Sequence, residues 1–491
     1  MNRKMVAFII GRIAVIEAFL FLFPLTVSII HNEQKSIFAF LISIAVAMTL
    51  GILLSLVFKP KSKVISAKDG FILVALCWVM LSLVGAVPFT VSGTIPNYVD
   101  AFFETVSGFT TTGASILGAQ GITPSVESLG YGMLFWRSFT HWIGGMGILV
   151  FIMAIIPSVS DRSIYILRAE VPGPIKGKLV PKITDTAKIL YIIYIVITLL
   201  EVVFLFCGGM TVFESLVYAF GTAGTGGFAP TSAGLSVVSP YHQIVITVFM
   251  MLFGVNFNLY YLAVLGKIKA LFKSRELWCF ISIFAVSSTI MTLNLVMENI
   301  YGIADAIRLS TFQSAAIVTT TGYSTADFVQ WPMLSQSIIF ILLFIGGCAG
   351  STAGGLKISR IMILIKTVRR ELNKLLHPRA VKNVQFEGKE VDEATIKSTS
   401  SYFVLYMLLI IVTFLLLSFD KFGDLQTNLT ASISCFNNVG PGLGLIGPTG
   451  NYGGFSVLSK LVLSLAMLFG RLEIYPILFI LTPSTWSKRH F

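Results

Sequence analysis

The sequence predicts an all-α polytopic membrane protein, with four fused helix–pore-loop–helix repeats around a pseudo-fourfold pore and two N-terminal transmembrane helices before them. Composition is the first sign: 55% of the 491 residues are hydrophobic and 12% charged, about half the charge of a soluble chain. The second is the recurrence of apolar stretches of about 20 residues, the length that crosses a hydrocarbon core. Lipid offers the backbone no hydrogen-bond partner, so each stretch must be helical. The third is a repeated unit, in which a long apolar helix, a short amphipathic segment and a glycine-rich loop lead into another long apolar helix.

The two leading spans are predicted at 5–30 and 37–58, joined by a polar turn. Arg12 and Glu17 interrupt the first run and no small-residue cleavage site follows, so it reads as a retained span and not a signal peptide. In the first unit, outer helices at 71–92 and 130–157 enclose the loop segment 101–113. In the second, 187–208 and 244–266 enclose 214–226; in the third, 276–297 and 335–367 enclose 310–322; in the fourth, 402–418 and 455–481 enclose 428–440. The corresponding divisions are 1–66, 67–160, 161–275, 276–370, a cytoplasmic connector at 371–397, and 398–491. The enclosed segments are too short to span a bilayer, so each enters and leaves on one side.

Charge decides which side. Arg162, Arg168, Lys176, Lys178, Lys182 and Lys188, then Lys267, Lys269, Lys273 and Arg275, then the stretch from Lys366 to Lys397 all fall between units. The loop-bearing stretches 93–129 and 210–241 contain no Lys or Arg. By the positive-inside rule the connectors are cytoplasmic and the loops open outward. Ten spans then leave both termini inside, beside Arg3 and Lys4 at one end and Lys488-Arg489-His490 at the other. The net charge of +12 is thus a topological signal and not a nucleic-acid one. Cys77, Cys207, Cys279, Cys348 and Cys435 have neither metal-ligand spacing nor a disulfide pattern. Gly442-Leu-Gly-Leu-Ile-Gly447 matches a dinucleotide fingerprint by chance, since no strand precedes it.

The chemistry lies in four short strings: Thr110-Thr111-Thr112-Gly113, Ala223-Gly224-Thr225-Gly226, Thr319-Thr320-Thr321-Gly322 and Asn437-Asn438-Val439-Gly440. Their glycines are 113, 96 and 118 residues apart (226−113, 322−226, 440−322). A cation crossing lipid must exchange its hydration shell for other oxygens, and a ring of backbone carbonyls can supply them. Aiming successive carbonyls inward needs positive φ, which glycine accepts at little cost. Each string follows a short helix whose carbonyl end favours a cation. None carries a carboxylate, which argues against a calcium-type acidic ring. A single such loop would be no more than a close helix contact; four on one predicted face point to a filter.

Two further features stand out. The stretch Gly346-Gly347-Cys348-Ala349-Gly350-Ser351-Thr352-Ala353-Gly354-Gly355 breaks the third unit's second helix in mid-membrane. Irregular backbone at that depth survives only in protein or beside water; it is either a static kink or a flexible loop beneath the filter. Arg471 lies mid-span in the fourth unit, two residues from Glu473 and so not on its helix face. It must find carbonyls, such as those of the 346–355 loop, or stand in the pore as a charge barrier. Arg137 and His141 are suited to interhelical hydrogen bonds. Glu104 and Gln313, each nine residues before a loop glycine, suggest matched helix-positioning contacts.

With Ser107-Gly-Phe-Thr-Thr-Thr-Gly-Ala114, Gly254-Val-Asn-Phe-Asn258, the 346–357 stretch and His377-Pro-Arg-Ala380, nearly the whole chain resembles the Trk-type superfamily of potassium transporters. The two extra leading spans resemble its bacterial TrkH/TrkG branch. The resemblance implies potassium as the transported ion at the filter, with no covalent cofactor. It also implies a homodimer in the bacterial cytoplasmic membrane, and a TrkA-like cytoplasmic ring that alone would bind ATP or NAD. It makes the 346–355 loop a gate with Arg471 against it. Gly224 and Val439-Gly-Pro-Gly442 depart from four identical strands, which suggests looser discrimination against sodium. Ion-coupled symport and a pump's ion-binding subunit stay open as alternatives; no phosphate-binding G-x-x-x-x-G-K-[ST] loop or H-E-x-x-H supports an enzyme.

Overall fold

The computed structural model describes residues 2–60, 66–119, 123–147, 183–379 and 383–486. Helix α1 (Arg3–Leu20) continues into α2 (Leu22–Ile30), and α3 (Gln34–Val57) packs along α1. Two small residues permit that approach: a Cβ on Gly11 would lie 2.8 Å from the Gly51 carbonyl oxygen.

Unit one follows as α4 (Ala67–Val91), the short α5 (Tyr98–Phe109) and α6 (Tyr131–Gly145). Unit two has α7 (Ile183–Cys207), the short α8 (Val212–Gly224), then α9 (Pro240–Phe253) and α10 (Phe257–Val264). A connector helix α11 (Lys269–Lys273) leads to unit three, α12 (Arg275–Met297), the short α13 (Ile303–Val318), α14 (Met333–Leu342) and α15 (Ile358–Leu376). A hairpin of β1 (Gln385–Phe386) and β2 (Lys389–Glu390) follows, turning through Glu387 and Gly388, both at positive φ. Unit four is α16 (Glu393–Leu417), the short α17 (Leu425–Asn437), α18 (Val457–Arg471) and α19 (Tyr475–Leu481).

Side-chain caps set where these helices start. Ser66 with Asp69 and Thr211 with Glu214 form capping boxes, while Asn97, Asp392 and Asp424 each accept a backbone N–H in the first turn of the helix that follows. The four short helices sit inside the protein: Thr430, Ser432 and Ser434 of α17 are all buried. The outer helices instead turn Phe38, Leu53, Val203 and Phe206 outward, as lipid-facing surfaces do.

Six continuous helices among the described residues are long and apolar enough to cross a bilayer. The four other expected spans are the second outer helices of the units, and there the sequence reading needs correction. The spans expected to run unbroken at 244–266 and 455–481 are both broken. Helices α9 and α10 meet at 89° around Gly254–Asn256, and α18 stops at Arg471, where Glu473 and Ile474 take φ of 54° and 67°. Each break frees polar groups that a distant segment engages. The Gly254 carbonyl accepts from the Cys348 N–H at 3.0 Å, and Glu473 pairs with Arg360 at 2.7 Å. The break expected in unit three is present and separates α14 from α15. Helix α6 ends at Gly145, with Gly147 at φ 80°; residues 148–157 of the expected span lie outside the described residues. So do Arg162, Arg168, Lys176, Lys178, Lys182, Ala380 and Lys488-Arg489-His490.

Candidate functional site

Each short helix ends in the same way. The residue that closes it is left-handed: Thr111 (φ 54°), Thr225 (56°), Thr320 (57°) and Asn438 (56°). In three strands the next N–H reaches back five residues, Thr112 to Ser107, Gly226 to Gly221 and Val439 to Ser434, which is the Schellman closure of a helix. Threonine is β-branched and an outlier in this conformation, so three of the four strands start from a strained residue, as functional sites often do.

Two residues further on, Gly113 (φ 77°), Gly227 (78°), Gly322 (76°) and Gly440 (99°) turn the chain again. In the second strand the pivot is therefore Gly227, not the expected Gly226, and the string shifts by one to Gly224-Thr225-Gly226-Gly227. Ala223, expected as its first residue, is still inside α8. Two adjacent glycines left both registers open; the sequence signal that separates them is the polar residue two places before the pivot, which is Thr225 and matches Thr111, Thr320 and Asn438.

The pivots close a cycle. A Cβ on Gly113 would lie 1.9 Å from the Gly226 carbonyl oxygen, on Gly227 2.0 Å from that of Thr321, on Gly322 1.9 Å from that of Val439, and on Gly440 2.6 Å from that of Thr112. Strand one thus meets two, two meets three, three meets four, and four returns to one. Glycine is needed there both for φ and for room. All four pivots line one cavity of about 230 Å³, whose described lining includes Arg137 and no carboxylate. Thr110 and Thr112, and Thr319 and Thr321, pair their hydroxyls at 2.7 and 2.8 Å, while Asn437 accepts from the Tyr406 hydroxyl at 2.8 Å. His141 is held by the Gly108 carbonyl at 2.9 Å and packs behind Gly226, where a Cβ would lie 2.1 Å from its Nδ1. Glu104 does make positioning contacts, whereas the side-chain amide of Gln313, its expected counterpart, is buried with no hydrogen bond among the described residues.

The stretch between α14 and α15 is irregular backbone, with positive φ at Gly346, Gly350, Gly355 and Lys357. It is packed against the strands themselves. The Gly354 N–H donates to Thr320 Oγ1 at 2.6 Å, and a Cβ on Gly354 would lie 2.4 Å from the Asn437 carbonyl oxygen. Gly347 and Gly350 face the α9–α10 break: Cys348 N–H donates to the Gly254 carbonyl and Phe257 N–H to that of Gly350, each at 3.0 Å. Ser351 caps Cys348 locally at 2.7 Å, Lys357 donates to the Ala353 carbonyl, and Glu276 accepts from the Ala349 N–H at 2.7 Å. Arg471 does reach this loop: it donates to the Thr352 carbonyl at 2.8 Å, and to the carbonyls of Gly144 and Gly145 at 2.5 and 2.7 Å. Residues of the 346–357 stretch therefore pack against the third and fourth strands near the ends of their short helices.

A cyclic set of carbonyl-bearing strands, an acid-free cavity on one side and a tethered loop on the other agree with what the chain is similar to. The family TrkH, described as cation transport protein, matches residues 36–488. The Trk system potassium uptake protein TrkH of Salmonella typhimurium (strain LT2) is 33% identical over 494 residues, covering 99% of this chain and all of that protein. The Trk system potassium uptake protein TrkG of Escherichia coli (strain K12) is 31% identical over 472 residues, 95% of each chain. The crystal structure of the potassium transporter TrkH from Vibrio parahaemolyticus superposes with a TM-score of 0.88 at 31% identity, over 99% of this chain and all of that one. With a family match across most of its length and relatives this similar end to end, the chain belongs to the TrkH family of cation transport proteins, multi-pass proteins of the membrane.

Proposed function

We propose that this chain takes potassium up across the cytoplasmic membrane through a gated filter of backbone carbonyls, formed by residues 110–113, 224–227, 319–322 and 437–440. The observation that carries this reading is the closed cycle of pivot glycines, each against the carbonyl of the neighbouring strand. Such a ring replaces water around a cation without any charged side chain. Potassium as the ion is supported by the relatives named potassium uptake proteins. The gate is the 346–355 loop, latched by Arg471. The loops open outward, both termini are cytoplasmic, and the chain works as a homodimer. A TrkA-like cytoplasmic ring supplies any ATP or NAD dependence, pulling on the basic connectors.

Complementation tests the reading. The full chain should restore growth at low external potassium to a bacterial host stripped of its own potassium uptake, and no rescue with the protein in the membrane would overturn it. Rubidium-tracer uptake into proteoliposomes should persist without a sodium gradient; strict dependence on that gradient would replace the channel-like mode with symport.

A further inference from the structure

Glu104 on α5 and Arg137 on α6 form a buried ion pair, Oε1 to Nε 2.7 Å, with side chains 0% and 4% exposed. Glu104 Oε1 also accepts from Ser115 Oγ at 2.9 Å, and its Oε2 from the Ile116 N–H at 3.0 Å. Those two residues lie just beyond pivot Gly113. Arg137 Nη1 donates to the Ala229 carbonyl at 3.0 Å, and the guanidinium carbon stands 3.7 Å from the centre of the Phe228 ring. These two lie just beyond pivot Gly227. One pair of opposite charges thus grips the first and second strands at the point where each leaves the ring, and Arg137 itself lines the outer cavity.

Among the described residues, the ties at the strand exits of two other junctions are neutral, although Asp100 on α5 and Lys460 on α18 form a second buried pair at 2.7 Å away from the strand exits. The Tyr323 hydroxyl lies 3.1 Å from the Tyr218 carbonyl oxygen and 3.4 Å from that of Phe228, and the Tyr452 N–H donates to the Ser115 carbonyl at 2.8 Å. Nine residues before the four pivots (113−9, 227−9, 322−9, 440−9) stand Glu104, Tyr218, Gln313 and Ala431. Among the described residues, a charged pair thus holds the strand exits themselves between the first and second strands. Both charges are out of water, so neither can leave its partner without an uncompensated charge in low dielectric.

We propose that the Glu104–Arg137 pair is a positioning strut: it fixes the separation of the first two strands and so sets the discrimination between potassium and sodium, without touching the ion. The proposal rests on the four strands being a potassium filter. A ring held at one width does not contract around the smaller sodium ion; a loosened ring does.

The test is the potassium-to-sodium permeability ratio, read from reversal potentials of the purified full-length protein in planar bilayers. Glu104→Gln keeps the shape and its acceptor oxygen but removes the charge facing Arg137. It should lower the ratio by about tenfold, equivalent to about 1.4 kcal/mol, with cation current retained. Ser115→Ala removes one hydrogen bond to the Glu104 carboxylate and leaves the ion pair and the Ile116 tie intact; a smaller drop, of about threefold, is expected. Arg137→Lys, which keeps the charge but loses the fork, should fall between wild type and Glu104→Gln. Wild-type ratios in both Glu104→Gln and Ser115→Ala would overturn the strut, as would loss of both currents in parallel with the ratio unmoved. Should Glu104→Gln fail to fold, Ser115→Ala decides alone. A wild-type protein that passes potassium and sodium equally would overturn the filter reading and the strut with it.

Discussion

Arg471→Ala cuts the latch of the intramembrane loop. Of the carbonyls that accept from Arg471, those of Gly144 and Gly145 belong to the end of α6 and hold the guanidinium in place; the Thr352 carbonyl belongs to the loop. On the gate reading, the Thr352 bond is the one that biases the loop towards a closed position. A hydrogen bond to a charged donor contributes about 1.5–3 kcal/mol, and about 1.4 kcal/mol is tenfold in an equilibrium. Removing it should raise the open-to-closed ratio by roughly 10- to 100-fold. The positive charge beneath the ring also repels a passing cation, so its loss acts in the same direction. The assay is rubidium-tracer uptake by proteoliposomes at matched protein content, with Arg471→Lys alongside. Lysine keeps the charge but presents a point donor in place of a planar fork. A partial rise in Arg471→Lys assigns the effect to the latch, and wild-type flux there assigns it to the charge. Unchanged or lower flux in a well-folded Arg471→Ala refutes the gating argument altogether.

Three further outcomes follow from particular contacts. Gly226→Ala should fail because its Cβ meets the His141 ring at 2.1 Å, and adding His141→Ala should restore flux. Gly227→Ala should stay inactive in either background, since its Cβ would strike the Thr321 backbone at 2.0 Å with φ at 78°; rescue of Gly227→Ala would show the register to be wrong. Glu276→Ala frees the Ala349 N–H and should raise tracer flux about tenfold, again at the scale of a charged hydrogen bond; normal flux would detach α12 from the gate. In the loop before α17, burial pushes the Asp420 carboxyl up. Donation from Ser459, Ser456 and the Phe422 N–H outweighs that and holds it at about 2, below the ordinary Asp value. A depressed carboxyl stabilises the fold above its unfolded pKa near 4, and that stability fades as pH falls towards 2. Asp420→Asn should therefore cost about 1 kcal/mol at pH 7, after allowance for solvent screening. In thermal melts the gap to wild type should narrow between pH 4 and 2; a gap that is constant across that range would refute it.

What could be read from the sequence is what local chemistry decides. Apolar length, the capped short helices and the glycines at 113, 322 and 440 each follow from residues within a turn or two. The glycine run at 346–355 cannot remain helical in any context, so its break was legible as well. Arg471 was legible through its cost, because a charge at that depth must find acceptors. The remaining features depend on partners far along the chain. The run Leu468-Phe-Gly-Arg-Leu-Glu-Ile474 is helical by composition, and it breaks where Glu473 meets Arg360, 113 residues away. The bend at Gly254–Asn256 is stabilised by N–H groups from the 348–352 segment. The pivot at Gly227 is also locked from another repeat, where the Thr321 carbonyl leaves no room for a side chain, although Thr225 two places before it carried a local signal.

On the filter reading, the four strands are equivalent at one level and not at the next. The carbonyls of Thr112, Gly226, Thr321 and Val439 form the cycle in which every strand takes part. At the pivot level the Gly440 carbonyl already accepts from Ser434 Oγ at 2.8 Å and from the Tyr452 hydroxyl at 2.7 Å, so both of its lone pairs are used. The fourth strand then offers no oxygen there, whatever the other three do. Below the cycle, hydroxyl pairs occur in strands one and three, while strand two has glycines and strand four has Asn437 and Val439 at the matching places. The pivot level therefore has lower symmetry than the cycle of carbonyls below it, and the side chains beneath the cycle differ from strand to strand. A cation loses water in fewer complete cages than four identical strands would provide, which sets a lower ceiling on discrimination. It also places the weight of selectivity on whatever fixes the width of that cycle.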